Sequence, residues 1–572
     1  MLKSYVTSVV FLACTFPGFS QNKVVGVNAK VNPYQYSIVK SQSFSKASVS
    51  SAHPLASMVG AAIMQNGGNA FDAAIATQLA LAVVYPNAGN IGGGGFLVAR
   101  TNTGKNISID YRETAPSKAS RDMYLNEKGE AQTQLSQNGH LASGVPGTIA
   151  GLFASLKYAK LPMSTLIQPA IDLAEFGFII TEREANGLNS NKSAFEKNNT
   201  QLPVFVKNSK WKAGDTLVQK DLAETLKRIR DLGQKGFYEG KTAQLIVDEM
   251  KRGNGIIELN DLKNYTAKTR EALSFQYKEY TIIGMPPPSS GGIIVAQMMK
   301  MIEDKPIASY GFQSTKAVQL MIEVERRAYA DRAEHLGDPD FWKVPLKTMA
   351  NKNYLSKRMA DYDSTKATPS KMVKAGVILE SDETTHLSVM DKWGNMVSVT
   401  TTLNGGYGSK TVVGGAGFIL NNEMDDFSIK AGVPNMFGAI GGDANAIQPN
   451  KRMLSSMSPT IVLKNNQPYM VVGTPGGTTI PTSVFQTLVN ILEFNMNADD
   501  AVNLPKFHHQ WLPDEVYVEP NFASKVADEL TKMGYLIKPR AAIGRTEVIR
   551  KQKNGLLETV ADKRGDDSVA GF

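Results

Sequence analysis

The sequence predicts an α+β protein in which layered sheets are covered by helices. Three observations carry this. Alternating strand patterns stand at 96–112 and again at 384–403, amphipathic helical patterns dominate from about 146 to 360, and helices and strands mix to the C-terminus. At 572 residues the chain exceeds one ordinary core. Its 42% hydrophobic and 20% charged residues, with 49 glycines, suit a globular protein and argue against disorder. Lys and Arg number 62 against 53 Asp and Glu, but they are scattered, with no run that would track a phosphate backbone, so no nucleic-acid partner is expected. The single cysteine, Cys14, excludes an intramolecular disulfide framework, a Cys-based zinc site and a Cys-x-x-Cys redox pair.

Residues 1–20 read as a secretory signal peptide. Lys3 is the only charge before Lys23, Val6 to Phe16 is an apolar run too short to span a bilayer, and Pro17-Gly18 breaks it. Gly18 and Ser20 stand at −3 and −1 of a cut before Gln21. A periplasmic or secreted protein is therefore expected. A lipoprotein signal ending at Cys14 is the second reading, although Phe11-Leu12-Ala13 matches that box poorly.

Leu55, Met58, Val59, Ala62 and Ile63 form one stripe of a helix that Pro54 opens and Gly67-Gly68 closes. The next helix, Ala70 to Tyr85, is apolar nearly all round, which predicts burial between layers. Ile91-Gly-Gly-Gly-Gly95 lacks the Lys-Ser/Thr of a phosphate-binding loop and precedes a strand, so nucleotide binding is rejected. Phe96–Arg100 and Asn106–Arg112 alternate around Thr-Asn-Thr-Gly as a hairpin. Leu166–Glu175 and Lys316–Arg332 represent the helical block, which Pro286 to Gly292 interrupts as a rigid loop. Asp361 to Glu383 is polar, with Pro369 and Gly376, and reads as exposed and mobile.

The second hairpin carries the chemistry. If Met390 faces Met396 across the turn Asp391-Lys-Trp-Gly-Asn395, Thr384 lies opposite Thr402, and directly opposed residues share a face about 5 Å apart. Two hydroxyls thus meet at the start of a strand. A Gly-x-Ser-x-Gly elbow and a His-Glu-x-x-His motif are both absent from the sequence. His508-His509 point opposite ways on a strand and suit structure better than a metal site. A hydrolase built from these residues needs a nucleophile that works without histidine. A Thr activated by its own α-amine is such a device, and it requires a cut before Thr384.

Further motifs stand in order: Asp110-Tyr-Arg-Glu-Thr-Ala-Pro116, Arg327-Ala-Tyr-Ala-Asp-Arg332, Glu383-Thr-Thr-His-Leu-Ser-Val389, Thr402-Leu-Asn404, Asn421-Asn-Glu-Met-Asp-Asp-Phe427, Leu454-Ser-Ser-Met-Ser-Pro459 and Gly473-Thr-Pro-Gly-Gly477. Together, over about residues 45–572, they closely resemble the γ-glutamyltranspeptidase (glutathione hydrolase) family, bacterial exported type. The resemblance implies an N-terminal-nucleophile hydrolase fold, an αββα sandwich. It also implies a proenzyme cut between Glu383 and Thr384, with residues 21–383 and 384–572 forming a heterodimer of large and small subunits. Thr384 is then the catalytic nucleophile, and its freed amine is the base. The substrates implied are glutathione and other γ-glutamyl compounds, with water, amino acids or dipeptides as acceptors and no metal or cofactor.

The remaining residues have matching chemistry. Arg112 suits the substrate α-carboxylate through its planar fork, with hydroxyl donors from Ser455 and Ser456. Asp426 suits the α-ammonium, helped by Glu423 and Asn404. Gly476 and Gly477 precede the helical run Thr482–Leu492 and suit an oxyanion hole, while Thr402 would orient the Thr384 hydroxyl and amine.

Two positions depart from the family pattern. Glu423 replaces a frequent Gln and is expected to add negative charge, and Phe437, in a Gly432–Gly442 segment resembling the active-site lid, replaces a frequent Tyr. The rival readings are a cephalosporin acylase or a capsule-anchoring transpeptidase with the same nucleophile, and a cleavage-defective binding protein. Asp426 beside Arg112 argues against the first group, since a glutaryl group lacks the ammonium. Intact Thr384, Thr402, Asn404 and both glycines argue against the last.

Overall fold

The computed structural model describes residues 31–373, 384–430 and 442–572. The signal segment, Glu383, Phe437 and the second half of the Asp361–Glu383 stretch lie outside the described residues. Two seven-stranded antiparallel sheets carry the architecture. In chain order their strands are β1 (Ser41–Phe44), β2 (Ser48–Ser51), β3 (Gly94–Arg100), β4 (Asn106–Asp110), β5 (Lys268–Arg270), β6 (Leu273–Tyr277) and β7 (Tyr280–Gly284). They continue as β8 (Thr385–Met390), β9 (Met396–Thr402), β10 (Thr460–Lys464), β11 (Gln467–Gly473), β12 (Glu547–Lys551), β13 (Leu557–Ala561) and β14 (Ser568–Gly571). The first sheet runs β14-β2-β8-β9-β3-β4-β5 and the second β1-β13-β12-β11-β10-β7-β6.

The period-2 alternation of these strands sorts side chains into three cores. Leu387, Val389, Val397 and Val399 of the central hairpin face helices α1 (Pro54–Gln65) and α2 (Ala70–Val84). On the second sheet Val462, Met470, Val472 and Val548 face α3 (Gly291–Ile302), α4 (Thr315–His335) and α5 (Thr479–Leu492). Between the sheets, Phe96, Val98, Met390 and Met396 meet Ile283, Ile461, Val471 and Ile549. The order helices, sheet, sheet, helices is the αββα sandwich that the resemblance implies. Every residue of α2 is buried, as its all-round apolar pattern predicts, and the Asn69–Asp72 capping box starts it.

Two expectations gain detail. Helices dominate from 146 to 360, as expected, and β5, β6 and β7 also lie inside that block and complete one edge of each sheet. The polar stretch from Asp361 is mostly exposed over its described half, as expected, but it is pinned to the fold at several points. Thr368, Ser370 and Val373 are buried. Arg327 of α4, itself buried, holds Asp361 at 2.7 Å, the Ser370 N–H donates to Asp514 at 2.7 Å, and the Trp511 indole donates to the Ser370 carbonyl at 2.9 Å.

Where the sheets approach near the open end of the hairpin, side chains are small and polar. The Ser388 hydroxyl donates to the Glu547 carbonyl at 3.2 Å, and Ser398 to the Val472 carbonyl at 3.2 Å. The His386 ring fits there only because residue 473 has no side chain. A Cβ at Gly473 would stand 2.2 Å from a ring carbon. Gly473→Ala is therefore expected to lose roughly 1–3 kcal/mol of stability by overpacking, read as a lower urea midpoint at unchanged m-value.

Candidate active site

The β8–β9 register pairs Met390 with Met396 and Thr385 with Thr401, so one more step sets Thr384 opposite Thr402, as the sequence predicts. Thr384 is buried and shares the inter-sheet face with His386 and Ser388. The His386 Nδ1 lies 2.9 Å from the Thr400 hydroxyl and Nε2 lies 3.1 Å from that of Ser388. Burial lowers its pKa to about 3, so the imidazole is neutral throughout the neutral range. His508 and His509 are likewise buried, and their rings bond to different neighbours, Thr482 and Gln510 for one and Asp514 for the other. Thr402 is braced at the end of β9: its hydroxyl accepts the Asn404 N–H at 2.8 Å and its carbonyl accepts Asn90 Nδ2 at 2.8 Å.

Arg112 follows β4 and is buried, with Nη1 2.7 Å from Glu423 and 3.5 Å from Glu113, and Nη2 paired with Asp426. It also donates to the carbonyls of Met453 at 3.3 Å and Leu454 at 3.1 Å. The sequence assigns Arg112 to a substrate carboxylate and Asp426 to an ammonium. In this structure the two sites face each other and pair, because opposite charges in one buried cleft attract strongly.

Burial works against the expected negative charge on Glu423. Burial raises its carboxyl from 4.5 to about 8, against the opposing pull of Arg112, and Glu113 is raised to about 8 by the same cause. One guanidinium cannot stabilise three carboxylates out of water, so protons remain on the Glu side chains at neutral pH. Protonated Glu423 presents a neutral hydrogen-bonding group, as the frequent Gln would.

Ser455 and Ser456 close the opposite wall. Ser455 is held by its backbone, its N–H donating to the Pro288 carbonyl at 3.0 Å and its carbonyl accepting the Ser290 N–H at 2.7 Å. The Ser456 hydroxyl accepts from Arg332 at 3.1 Å, and Arg332 also donates to Ser290 at 2.7 Å. Gly476 and Gly477 adopt φ of 133° and 56°, in the range that favours glycine. Their carbonyls accept the N–H groups of Thr479 and Ile480, each at 3.0 Å, at the start of α5. Because C=O and N–H of one trans peptide point opposite ways, the N–H of Gly477 is turned away from that helix.

Thr384, Thr402, Asn404, Arg112, Glu423, Asp426, Ser455, Ser456 and Gly477 line one cleft of about 10 Å³, room for about one water molecule. Gly476 adjoins Thr384 from its other side. All of the predicted site residues that the structure describes are thus brought to one place, and Glu383 lies outside the described residues. The sequence reading assigned no role to Arg332, Glu113 or Asn445, which donates to the Asp426 carbonyl at 2.6 Å and accepts the Leu454 N–H at 2.9 Å. Arg332 and Glu113 stood inside the recognised motifs, whereas Asn445 carried no local signal.

The Glu423 proton gives a pH test. A carboxyl near 4.5 when unfolded and near 8 when folded retains its proton in the native state alone between those values, so stability falls as pH rises through that window. Glu423→Gln removes this contribution. The drop in Tm from about pH 5 to about pH 8.5 should be smaller than in the wild type. An equal drop would mean that Glu423 is ionised in the fold.

The family model described as Gamma-glutamyltranspeptidase matches residues 56–572. The chain is 45% identical over 530 residues to the glutathione hydrolase proenzyme of Escherichia coli (strain K12), covering 92% of this chain and 91% of that one. The solved γ-glutamyltranspeptidase of Helicobacter pylori aligns at 42% identity and a TM-score of 0.56 over 60% of this chain and 96% of its own. The solved cephalosporin acylase of Bacillus halodurans superposes at a TM-score of 0.81 with 24% identity, covering 94% and 98%, a likeness of fold alone.

Proposed function

The chain belongs to the γ-glutamyltranspeptidase family, and from that premise we propose that Thr384 is the nucleophile of an autoprocessed γ-glutamyl hydrolase and transferase. The observation that carries this is the meeting of Thr384, Thr402 and the Arg112–Asp426 pair in one buried cleft beside Gly476-Gly477. In the precursor the Thr384 hydroxyl attacks the Glu383 carbonyl. The peptide becomes an ester as the C–N bond breaks and frees the Thr384 amine, and water then cleaves the ester to give the Glu383 carboxylate and restore the Thr384 hydroxyl. That amine has an ordinary pKa of about 7.7–8.0, so a useful fraction is neutral near pH 7 and can take the hydroxyl proton.

Thr384 Oγ then attacks the γ-carbonyl of glutathione or another γ-glutamyl compound. The developing oxyanion is met by the N–H groups of Gly476 and Gly477, and losing one such donor typically costs ~10²–10³ in rate. The proton passes to the leaving amine, and water or an acceptor amine resolves the γ-glutamyl ester. Arg112, with Ser455 and Ser456, takes the α-carboxylate. Asp426, with Asn404 and the Glu423 carboxyl, takes the α-ammonium, so the substrate's two charges replace the internal ion pair end for end. Thr402 holds the Thr384 hydroxyl and amine in register.

The apolar run Val6–Phe16 and the small residues before Gln21 support export to the periplasm or beyond. A denaturing gel of the exported protein should show two chains, one beginning at Gln21 and one at Thr384. Thr384→Ala should remain one inactive chain. A wild type that never shows Thr384 as an N-terminus would contradict the mechanism.

Asp426→Asn should still mature, because cutting depends on the surroundings of Thr384. It should lose most γ-glutamyl affinity, about ten- to a hundredfold for one charge-assisted bond of about 1.5–3 kcal/mol. Glutaryl anilides lack the ammonium and should be affected much less. Equal losses on both would show that Asp426 does not read the ammonium.

A further inference from the structure

Thr384 belongs to two walls. One faces the narrow cleft of Arg112 and Asp426, and the other faces a cavity of about 1060 Å³ that Pro475, Gly476, Tyr407 and Arg545 also line. Gly477 lines the cleft and Gly476 the cavity, so the nucleophile and the glycine pair form the partition between them. An acyl group seated in the cleft brings its scissile carbonyl to Thr384. What hangs from the amide nitrogen then has the cavity to occupy.

The cavity wall next to that partition is cationic. The Arg545 backbone N–H donates to the Thr474 hydroxyl at 2.7 Å, which ties the arginine to the loop carrying Gly476. Its side chain is 14% exposed, with Nε 3.7 Å from Asp567 and the guanidinium 5.4 Å from the Tyr85 ring centroid. The guanidinium is therefore pre-positioned and half-sheltered from water, conditions under which a planar fork binds a carboxylate well. Glu182, Glu184 and Asp566 also line the cavity, and the last two are engaged elsewhere. Glu184 caps the helix Glu182–Asn198 through the Thr181 N–H at 2.7 Å, and Asp566 accepts the Thr181 hydroxyl at 2.7 Å. A dipeptide spans about 7 Å when extended, which a cavity of this volume accommodates.

We propose that Arg545, on the wall of this cavity, selects leaving groups and acceptors that end in a free carboxylate. The proposal rests on the γ-glutamyl reading of the cleft. It is tested by kcat/KM of the processed enzyme for glutathione against glutathione carrying a C-terminal carboxamide, in the wild type, Arg545→Gln and Arg545→Lys. A γ-glutamyl anilide, whose leaving group has no carboxylate, is run on each preparation to report the cleft and Thr384 separately. The wild type should prefer the free acid by about ten- to a hundredfold. Arg545→Gln should reduce that preference to within about twofold, and Arg545→Lys should keep part of it. Equal wild-type rates on acid and amide, or an undiminished preference in Arg545→Gln, would overturn the proposal while anilide cleavage leaves the γ-glutamyl reading standing. If Arg545→Gln does not mature, the wild-type ratio and the Lys variant decide, and an undiminished preference in Arg545→Lys would then count against Arg545. Failure of the wild type to cleave the anilide would instead defeat the reading on which the proposal rests.

Discussion

The register of one antiparallel pair holds the site together. With Met390 opposite Met396, every even-numbered residue from Thr384 to Met390 faces the second sheet, and every odd-numbered one from Thr385 to Val389 faces the helices. A slip of one residue would put Thr384 among the helices and drive Leu387 and Val389 between the sheets. Burial of those apolar side chains therefore fixes where the nucleophile points. The same constraint explains the neutral His386 wedged against Gly473 and the braced hydroxyl of Thr402. The glycine loop inherits its position as well, since it extends β11, which packs across from β8 and β9.

Around this frame the electrostatics are those of one arginine in a dry cleft. Arg112 faces Glu113, Glu423 and Asp426, and burial leaves protons on the two glutamates near neutral pH. The resulting site is one cation and one anion, set to exchange each other for the two ends of an amino-acid zwitterion. Such an arrangement costs less to keep buried than an unpaired charge, and it opposes groups that carry a carboxylate without an ammonium. Arg332 works a shell further out, fixing Ser456 and Ser290 so that the opposite wall keeps its shape.

Much of this was legible from residues alone. Local signals fixed the two hairpins, α1, α2 and the glycine loop, because alternation, caps and turn residues act over a few positions. The Thr384–Thr402 pairing followed from counting across a five-residue turn. Three things were not legible. The strands Leu273–Tyr277 and Tyr280–Gly284 sit between long helices, and their short alternation was overlooked beside the stronger helical periodicity. The anchoring of the Asp361–Val373 segment was hidden because its partners, Arg327 and Trp511, are remote in sequence. The protonation of Glu423 depends on the absence of water around it, which only tertiary packing sets.

The central claim is that Thr384, at the head of β8, carries the γ-glutamyl group between donor and acceptor. Rapid quenching of the processed enzyme with a γ-glutamyl donor, followed by intact-mass and fragment analysis of both chains, tests it most directly. The account predicts a single added γ-glutamyl group, confined to the chain that begins at Thr384 and located on that residue, and lost on adding an acceptor amine. A γ-glutamyl adduct on any other side chain, or steady turnover with no adduct at any quench time under conditions where deacylation is slow, would contradict it.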